Sequence, residues 1–585
     1  MHSDEPIRER AVAAQSFNEV LEQVNLKRRG VMKAGLGTAA LSFFGLPAML
    51  KSEAAFAAPT PGFTPLPQIT PLPPITPTNL RAGSVGDTVR VASGYEVKVL
   101  IAHGDPIKPG FPAWTGAATE DANHQANSFG AHSDGMHFFP FPQRGAPGGL
   151  SNTRGLFVNN HEYVDQGMLF TDGFTTTNGS AAKLDKALAA HGVTVVEVQK
   201  GAGGWAPVIN SPFNRRITGA TPCTITGPAA GHPLMQTPAD PTGRTALGTL
   251  NNCANGYTPW GTYLTCEENF NGYFGSSTTF TANPLEAAIG LNGLGFGYNW
   301  HTVTPAGDRF DLNKWKVDPT PGNTNAATSR NNEPNRFGWV VEIDPFNPTK
   351  PPVKRTSLGR CKHENAVYAI ANDGRLVIYS GDDQVFEYIY KWVSSAPFNP
   401  NSRTANENLL DSGTLYVAKF SAGGSSDTKP GPLVDGVPTP ATVPAPEIEP
   451  EDNAGTGEWL ELSMNVPALN TQFGGDLGAM LIDARRAADT VGATPMDRPE
   501  WIAVNYYSPT KDVYITLTNN SGRTAAPGST GAVRPRPSQI DEPNPRGPNP
   551  FGHIIRWTET GGDPGALAFT WDIFVLAGDP GLDSN

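Results

Sequence analysis

The chain has little to cross-link it and little to charge it. Its 585 residues contain four cysteines, Cys223, Cys253, Cys266 and Cys361, and no Cys-x-x-Cys pair, which removes zinc-ribbon and thioredoxin-type sites. Four cysteines in a chain this long are not a disulfide scaffold, because the chain can bury a core of its own. In an oxidising compartment they predict two disulfides, with three possible pairings. Charged residues make up 17% of the chain and form no block of one sign, and the net charge is −12. An acidic balance argues against nucleic acid and anionic membrane surfaces as partners. There is no Gly-x-Ser-x-Gly elbow and no Gly-x-x-x-x-Gly-Lys-Ser/Thr loop, so neither a serine nucleophile nor a phosphate-binding loop can be proposed. Heptads are absent, and so is any clear repeat of 40–50 residues.

The N-terminus carries an address. Arg28-Arg29-Gly30-Val31-Met32-Lys33 is a twin-arginine signature, followed by the weakly apolar run 34–50 and a small-x-small site at Ala55-Phe56-Ala57. The run is too short and too rich in Gly and Ala to anchor the mature chain in a membrane. Residues 1–57 therefore read as a removed signal peptide. The twin-arginine translocase is the expected export partner, and the expected location is periplasmic or secreted. Residues 58–82 are Pro/Thr-rich and extended, a linker or arm. Residues 83–585 read as one domain.

Gly 64 and Pro 55 punctuate that domain. Between them lie many short runs rich in Val, Ile, Tyr, Phe and Thr, among them 88–91, 95–101, 156–159, 193–198, 262–265, 337–343, 375–379, 386–392, 414–420, 501–504, 513–518, 553–557 and 568–574. Two helices are predicted, 181–190 and 479–488, the second with Arg485 and Arg486 on its exposed face. Loops without regular structure are predicted at 318–335, 421–456 and 521–551. So many strands and so few helices predict an all-β fold. A sandwich of this size is unusual, and an irregular β-propeller with loops over one face fits better.

Chemistry-bearing residues recur beside these runs: Asn160-His161-Glu162, Cys266-Glu267-Glu268-Asn269, Cys361-Lys362-His363-Glu364-Asn365, Gly381-Asp382-Asp383, Asp497-Arg498-Pro499-Glu500 and Trp571-Asp572. Carboxylates at strand ends beside apolar residues must be paired or coordinate a metal if they are buried. Cys253 offers a soft ligand that suits iron, zinc or copper, and the carboxylates offer hard ones that suit calcium, magnesium or ferric iron, which points to a mixed-metal site. Arg498, two residues before Glu500, has the fork that binds phosphate oxygens in pairs.

In order and number these motifs resemble the PhoX-type alkaline phosphatases over nearly the whole mature chain. The match runs from Ser133-Asp134-Gly135-Met136 through Asn252-Cys253, Thr258-Pro259-Trp260-Gly261-Thr262 and the clusters above to Thr518-Asn519-Asn520, Trp571-Asp572 and Ala577-Gly578. The resemblance implies a six-bladed propeller whose loops and few short helices cover the active-site face. It implies a cluster of ferric iron and calcium around a bridging oxygen, and hydrolysis of phosphate monoesters at alkaline pH by a metal-activated oxygen nucleophile. By motif, Cys253, Glu268, Glu364, Asp383, Glu500, Asp572 and Glu162 would be metal ligands, and Arg498 would hold and activate the substrate phosphate. Cys361, Asn365 and Asn255 depart from the residues typical at those places, which leaves the ligands but alters their surroundings. A phosphodiester hydrolase is compatible with those departures. A calcium-dependent lactonase-like enzyme or a non-catalytic calcium-stabilised binding propeller would also use the carboxylates, but leaves Cys253 and Arg498 without a role.

Overall fold

The computed structural model describes residues 91, 95–143, 149–303, 314–318, 332–422, 454–530 and 534–578. The expected signal peptide and linker, the run at 88–90 and most of the loop at 421–456 lie outside the described residues. The chain divides into residues 1–100 and 101–585, and the strands described below all belong to the second unit.

The fold is mostly β. The first sheet holds β1 (Ser133–Pro142), β2 (Leu150–His161), β3 (Gly192–Gly201), β4 (Gly204–Pro207) and β5 (Arg215–Ile217). The second holds β6 (Pro222–Thr226), β7 (Thr245–Leu247), β8 (Asn252–Tyr257), β9 (Tyr263–Glu267), β10 (Val340–Ile343) and β11 (Val353–Arg355). The largest holds β12 (Val367–Ile370), β13 (Arg375–Gly381), β15 (Ile389–Pro397), β16 (Gly413–Ala422), β17 (Ala454–Leu462), β19 (Pro499–Val504), β20 (Val513–Leu517), β21 (His553–Glu559) and β22 (Ala568–Leu576). A two-stranded ribbon pairs β14 (Val385–Glu387) with β18 (Met496–Asp497). Strand pairing alone does not delimit six blades. Nearly all the predicted runs fall on strands. The run at 95–101 is extended chain without a partner strand among the described residues.

Helix α1 (Ala181–Ala190) has the predicted bounds, with Ser180 accepting from the Lys183 N–H as its N-cap. The second predicted helix is two: α2 (Leu477–Ile482) and α3 (Ala484–Val491), broken at Asp483, whose φ/ψ of −117/40 is not helical. Gly492 closes α3 in the left-handed conformation. Arg485 is not on an exposed face: it is buried, because Asp382 and Glu387 offer it carboxylate partners inside. The predicted disulfides do not form either. All four cysteines are free and buried, Cys266 and Cys361 within one apolar cluster with Leu264, Val340 and Trp392.

Neighbouring hairpins touch through backbone. A Cβ on Gly135 would lie 2.7 Å from the Ala254 carbonyl carbon, one on Gly256 1.7 Å from the Ala366 oxygen, and one on Gly381 2.5 Å from the Pro499 oxygen. Only glycine permits such approach, so β1, β8 and the segment entering β12 are drawn together by residues without side chains, and the end of β13 meets β19 in the same way.

Candidate metal centre

Antiparallel pairs β1–β2, β8–β9, β12–β13 and β19–β20 bring the same local construction to this centre. In each, a buried residue ending or just past the second strand, His161, Glu267, Asp382 or Leu517, pairs with Ser133, Asn252, His363 or Pro499 respectively. Beyond that pair the first strand carries one extra residue before regular register resumes at Met136, Asn255, Val367 and Ile502. Such a bulge re-aims a side chain. The re-aimed positions are Asp134, Cys253, Glu364 and Glu500.

The second strand repeats as closely. The residue after the buried one donates its N–H to the carbonyl just before the pair: Glu162 to His132 at 3.1 Å, Glu268 to Asn251 at 3.0 Å, Asp383 to Lys362 at 3.0 Å and Thr518 to Arg498 at 3.3 Å. His132, Asn251 and Arg498 adopt positive φ, +46°, +49° and +57°, a strained conformation for residues other than glycine that is held by its surroundings. Asn160 ties the first hairpin to the second. Its amide donates to the Cys253 and Ala254 carbonyls, and its oxygen accepts from Tyr263 and Thr265.

The result is a concentration of acid. Cys253 Sγ lies 3.1 Å from Asp134 Oδ2 and 3.3 Å from Glu364 Oε1. One ligand atom from each of Cys253, Glu268 and Glu364 falls within 4.8 Å of the others, and so does the set Asp134, Glu162 and Cys253. Burial, reinforced by the neighbouring carboxylates, pushes the Glu268 and Glu364 carboxyls well above their ordinary range and Glu162 to about 7. Burial and then Glu364 raise the Cys253 thiol. Burial also raises Asp383, against the pull of Arg498. Arg498 forks onto Asp383 at 2.9 and 2.6 Å and reaches Glu500 at 3.3 Å. Lys362, the counterpart of Arg498 in the third hairpin, donates to Asn269 Oδ1 at 3.0 Å, and burial lowers it to about 8. These two cations do not balance the anions around them. The donor set, one thiol and several carboxylates in a small buried volume, fits hard cations with one soft contact.

Of the residues singled out in the sequence, Cys253, Glu162, Glu268, Glu364, Asp383, Glu500 and Arg498 are brought to this centre. Asp572 is not. It pairs with Arg556 at 2.9 Å on β22, three strands from Glu500, about 14 Å at ordinary strand spacing. Asp134 and Lys362 were quoted only as parts of motifs. Their roles depend on the bulge and on the second strand's partner, neither of which is written in the local sequence.

An all-β scaffold that gathers buried acids and a thiol beside an arginine and a lysine defines a metal-dependent enzyme for anionic substrates. Comparison then narrows the class: residues 75–585 match the family described as alkaline phosphatase PhoX, and the chain belongs to that family. A solved structure, Pseudomonas fluorescens PhoX in complex with vanadate, a transition state analogue, is 40% identical, with a TM-score of 0.72 over 85% of this chain and 76% of that one. No curated protein sequence matches the chain. The chain is therefore a metal-dependent phosphatase.

Proposed function

We propose that the protein hydrolyses phosphate monoesters at alkaline pH, releasing inorganic phosphate, with calcium and ferric iron held by Cys253, Glu268, Glu364, Asp383, Glu500, Glu162 and Asp134. The observation that carries this reading is the repeated hairpin end, which aims acids and one thiol at a common point while leaving them short of cations. Asp572 is left out of this set, since it lies on β22, three strands from Glu500, and pairs with Arg556. When bound, the metals supply Lewis acidity toward phosphoryl oxygens and activate water for attack. The chain's own residues do the rest. Arg498, about one-third exposed, can meet an entering phosphoryl group and offer two parallel donors to its oxygens. Its two hydrogen bonds to Asp383 orient the guanidinium. Lys362, held by Asn269, sets a second positive charge near Glu268 and Asp383 and limits the repulsion among them.

The vanadate complex of the 40% identical relative supports a pentacoordinate phosphoryl transition state as what this centre also stabilises. The twin-arginine motif at 28–33 supports export in the folded state to the periplasm or beyond. Four free cysteines agree with that route, since no disulfide must form first. Among the described residues no helix is long and apolar enough to cross a membrane.

Hydrolysis of p-nitrophenyl phosphate by the mature protein at alkaline pH, with calcium and after chelation, alongside metal analysis, tests the reading. Turnover lost on chelation, in protein that contains iron and calcium, is the expected result. No turnover with both metals present would turn attention to diesters and lactones.

A further inference from the structure

One of the four hairpin ends has no acid on its second strand. At the position held by Glu162, Glu268 and Asp383 in the first three hairpins, the β19–β20 hairpin has Thr518. The equivalence rests on backbone alone: the same buried pair before it, the same one-residue bulge opposite it, and the same N–H bond to the residue preceding the pair, here Arg498. Leu517, the buried member of that pair, packs in an apolar cluster with Ile502, Ile515, Ile555 and Met496. Strand alternation then turns Thr518 the other way, as it turns Glu268 away from buried Glu267. Its Oγ1 is shielded from solvent and has no hydrogen-bond partner among the described residues. A buried hydroxyl without a partner costs about 1–3 kcal/mol, a cost that a bound oxygen acceptor would relieve.

We propose that Thr518 is a substrate-binding residue: its hydroxyl donates a hydrogen bond to a phosphoryl oxygen of the ester, beside the guanidinium of Arg498. This rests on the phosphatase reading of the centre. A neutral donor suits this position. The hairpin already carries Glu500 and Arg498, and a fourth carboxylate would repel the dianionic substrate that Arg498 attracts. A hydroxyl can serve the ground state and the transition state alike, because it follows the oxygen as the charge on it grows.

Thr518→Val keeps the shape and removes the donor, and Thr518→Ser keeps the donor. In metal-loaded protein, Thr518→Val is expected to lower kcat/KM for p-nitrophenyl phosphate by about 10- to 100-fold, the range for one hydrogen bond to a charged group. It should weaken competitive inhibition by inorganic phosphate several-fold and leave iron and calcium content at the wild-type level. Thr518→Ser should stay within about threefold of wild type on both readouts. Unchanged kinetics and unchanged phosphate inhibition in Thr518→Val would overturn the assignment. So would loss of metal in Thr518→Val that Thr518→Ser restores, since that would make the hydroxyl part of the metal shell. Arg498→Ala separates the two levels. If it too leaves the kinetics untouched, the phosphate site itself is misplaced. If it is impaired while Thr518→Val is not, only the threonine is.

Discussion

Two adjacent aspartates divide the buried charge of this protein. Asp382 faces Arg485, whose Nε lies 2.8 Å from Oδ2. Arg485 also reaches Glu387, which takes Arg534 and Arg536 at 2.6 and 2.7 Å. Asp383, the next residue, faces the other way, toward Glu364, Glu500 and Glu268, with Arg498 as its paired cation. Both regions are buried and acid-rich. In the first, arginines equal or exceed the carboxylates: burial still raises Asp382 against the pull of Arg485, but Glu387 is held down at about 2 by Arg485, Arg534 and Arg536 despite its burial. In the second, carboxylates outnumber cations, and their proton affinities rise. Burial of an acid is thus no sign of function by itself. The local cation count separates a structural network from a centre that requires ions.

The sharpest break of that comparison is a pair of neutralising substitutions. Glu364→Gln is expected to reduce bound metal and lower turnover by on the order of 10³-fold or more, several kcal/mol of charge stabilisation. The same change should raise the melting temperature of the metal-free protein by relieving repulsion. Asp382→Asn should do the reverse. It leaves Arg485 under-compensated in the interior and lowers stability by about 3–5 kcal/mol, while folded protein keeps its metals. Calorimetry and metal analysis on both variants check the contrast, and equal signs would erase it.

Next in size is Arg498→Ala, expected to cost about 2–4 kcal/mol of transition-state stabilisation, tens- to about a thousandfold in kcat/KM, with metal content retained. Cys253→Ala should lose iron before it loses fold, which absorption spectra and elemental analysis would follow. Wild-type iron in that variant would remove the thiol from the ligand set.

The smallest expected effect is on pH. Glu162 rises from its ordinary 4.5 to about 7, so the folded metal-free chain keeps a proton between those values that the unfolded chain has lost. Stability therefore falls as pH rises through that window. Glu387 works oppositely: lowered to about 2, it contributes stability above its ordinary 4.5 that is lost as pH falls toward 2. The metal-free protein should melt a few degrees lower at pH 8 than at pH 5, and restoring metal should abolish the difference. A metal-free protein equally stable at both values would break the distinction drawn between the two regions.

Much of this was legible in the sequence. Alternating β-branched and aromatic runs located most strands, because each must present one face to a core. The 181–190 helix was legible because its start is set by a local cap, the Ser180 side chain on the Lys183 N–H. Arg485 was misplaced on a surface because its partners, Asp382 and Glu387, lie about a hundred residues away. The disulfides were expected from compartment alone, and packing of Cys266 and Cys361 among apolar side chains overrode that expectation. The hairpin repeat went unseen. His132-Ser133-Asp134, Asn251-Asn252-Cys253, Lys362-His363-Glu364 and Arg498-Pro499-Glu500 share a backbone course and no residue pattern. Asp134 and Thr518 are legible only once register is known.

The glycine contacts at 135, 256 and 381 bear on how the molecule can change over time. Where backbones touch without side chains between them, neighbouring hairpins shift as one block or not at all. The centre behaves like the keystones of an arch, and the outer loops hang from it without loading it. Loops of very different length can then be exchanged at the rim, altering which molecules are admitted, while the spacing among Asp134, Cys253, Glu364 and Glu500 stays fixed.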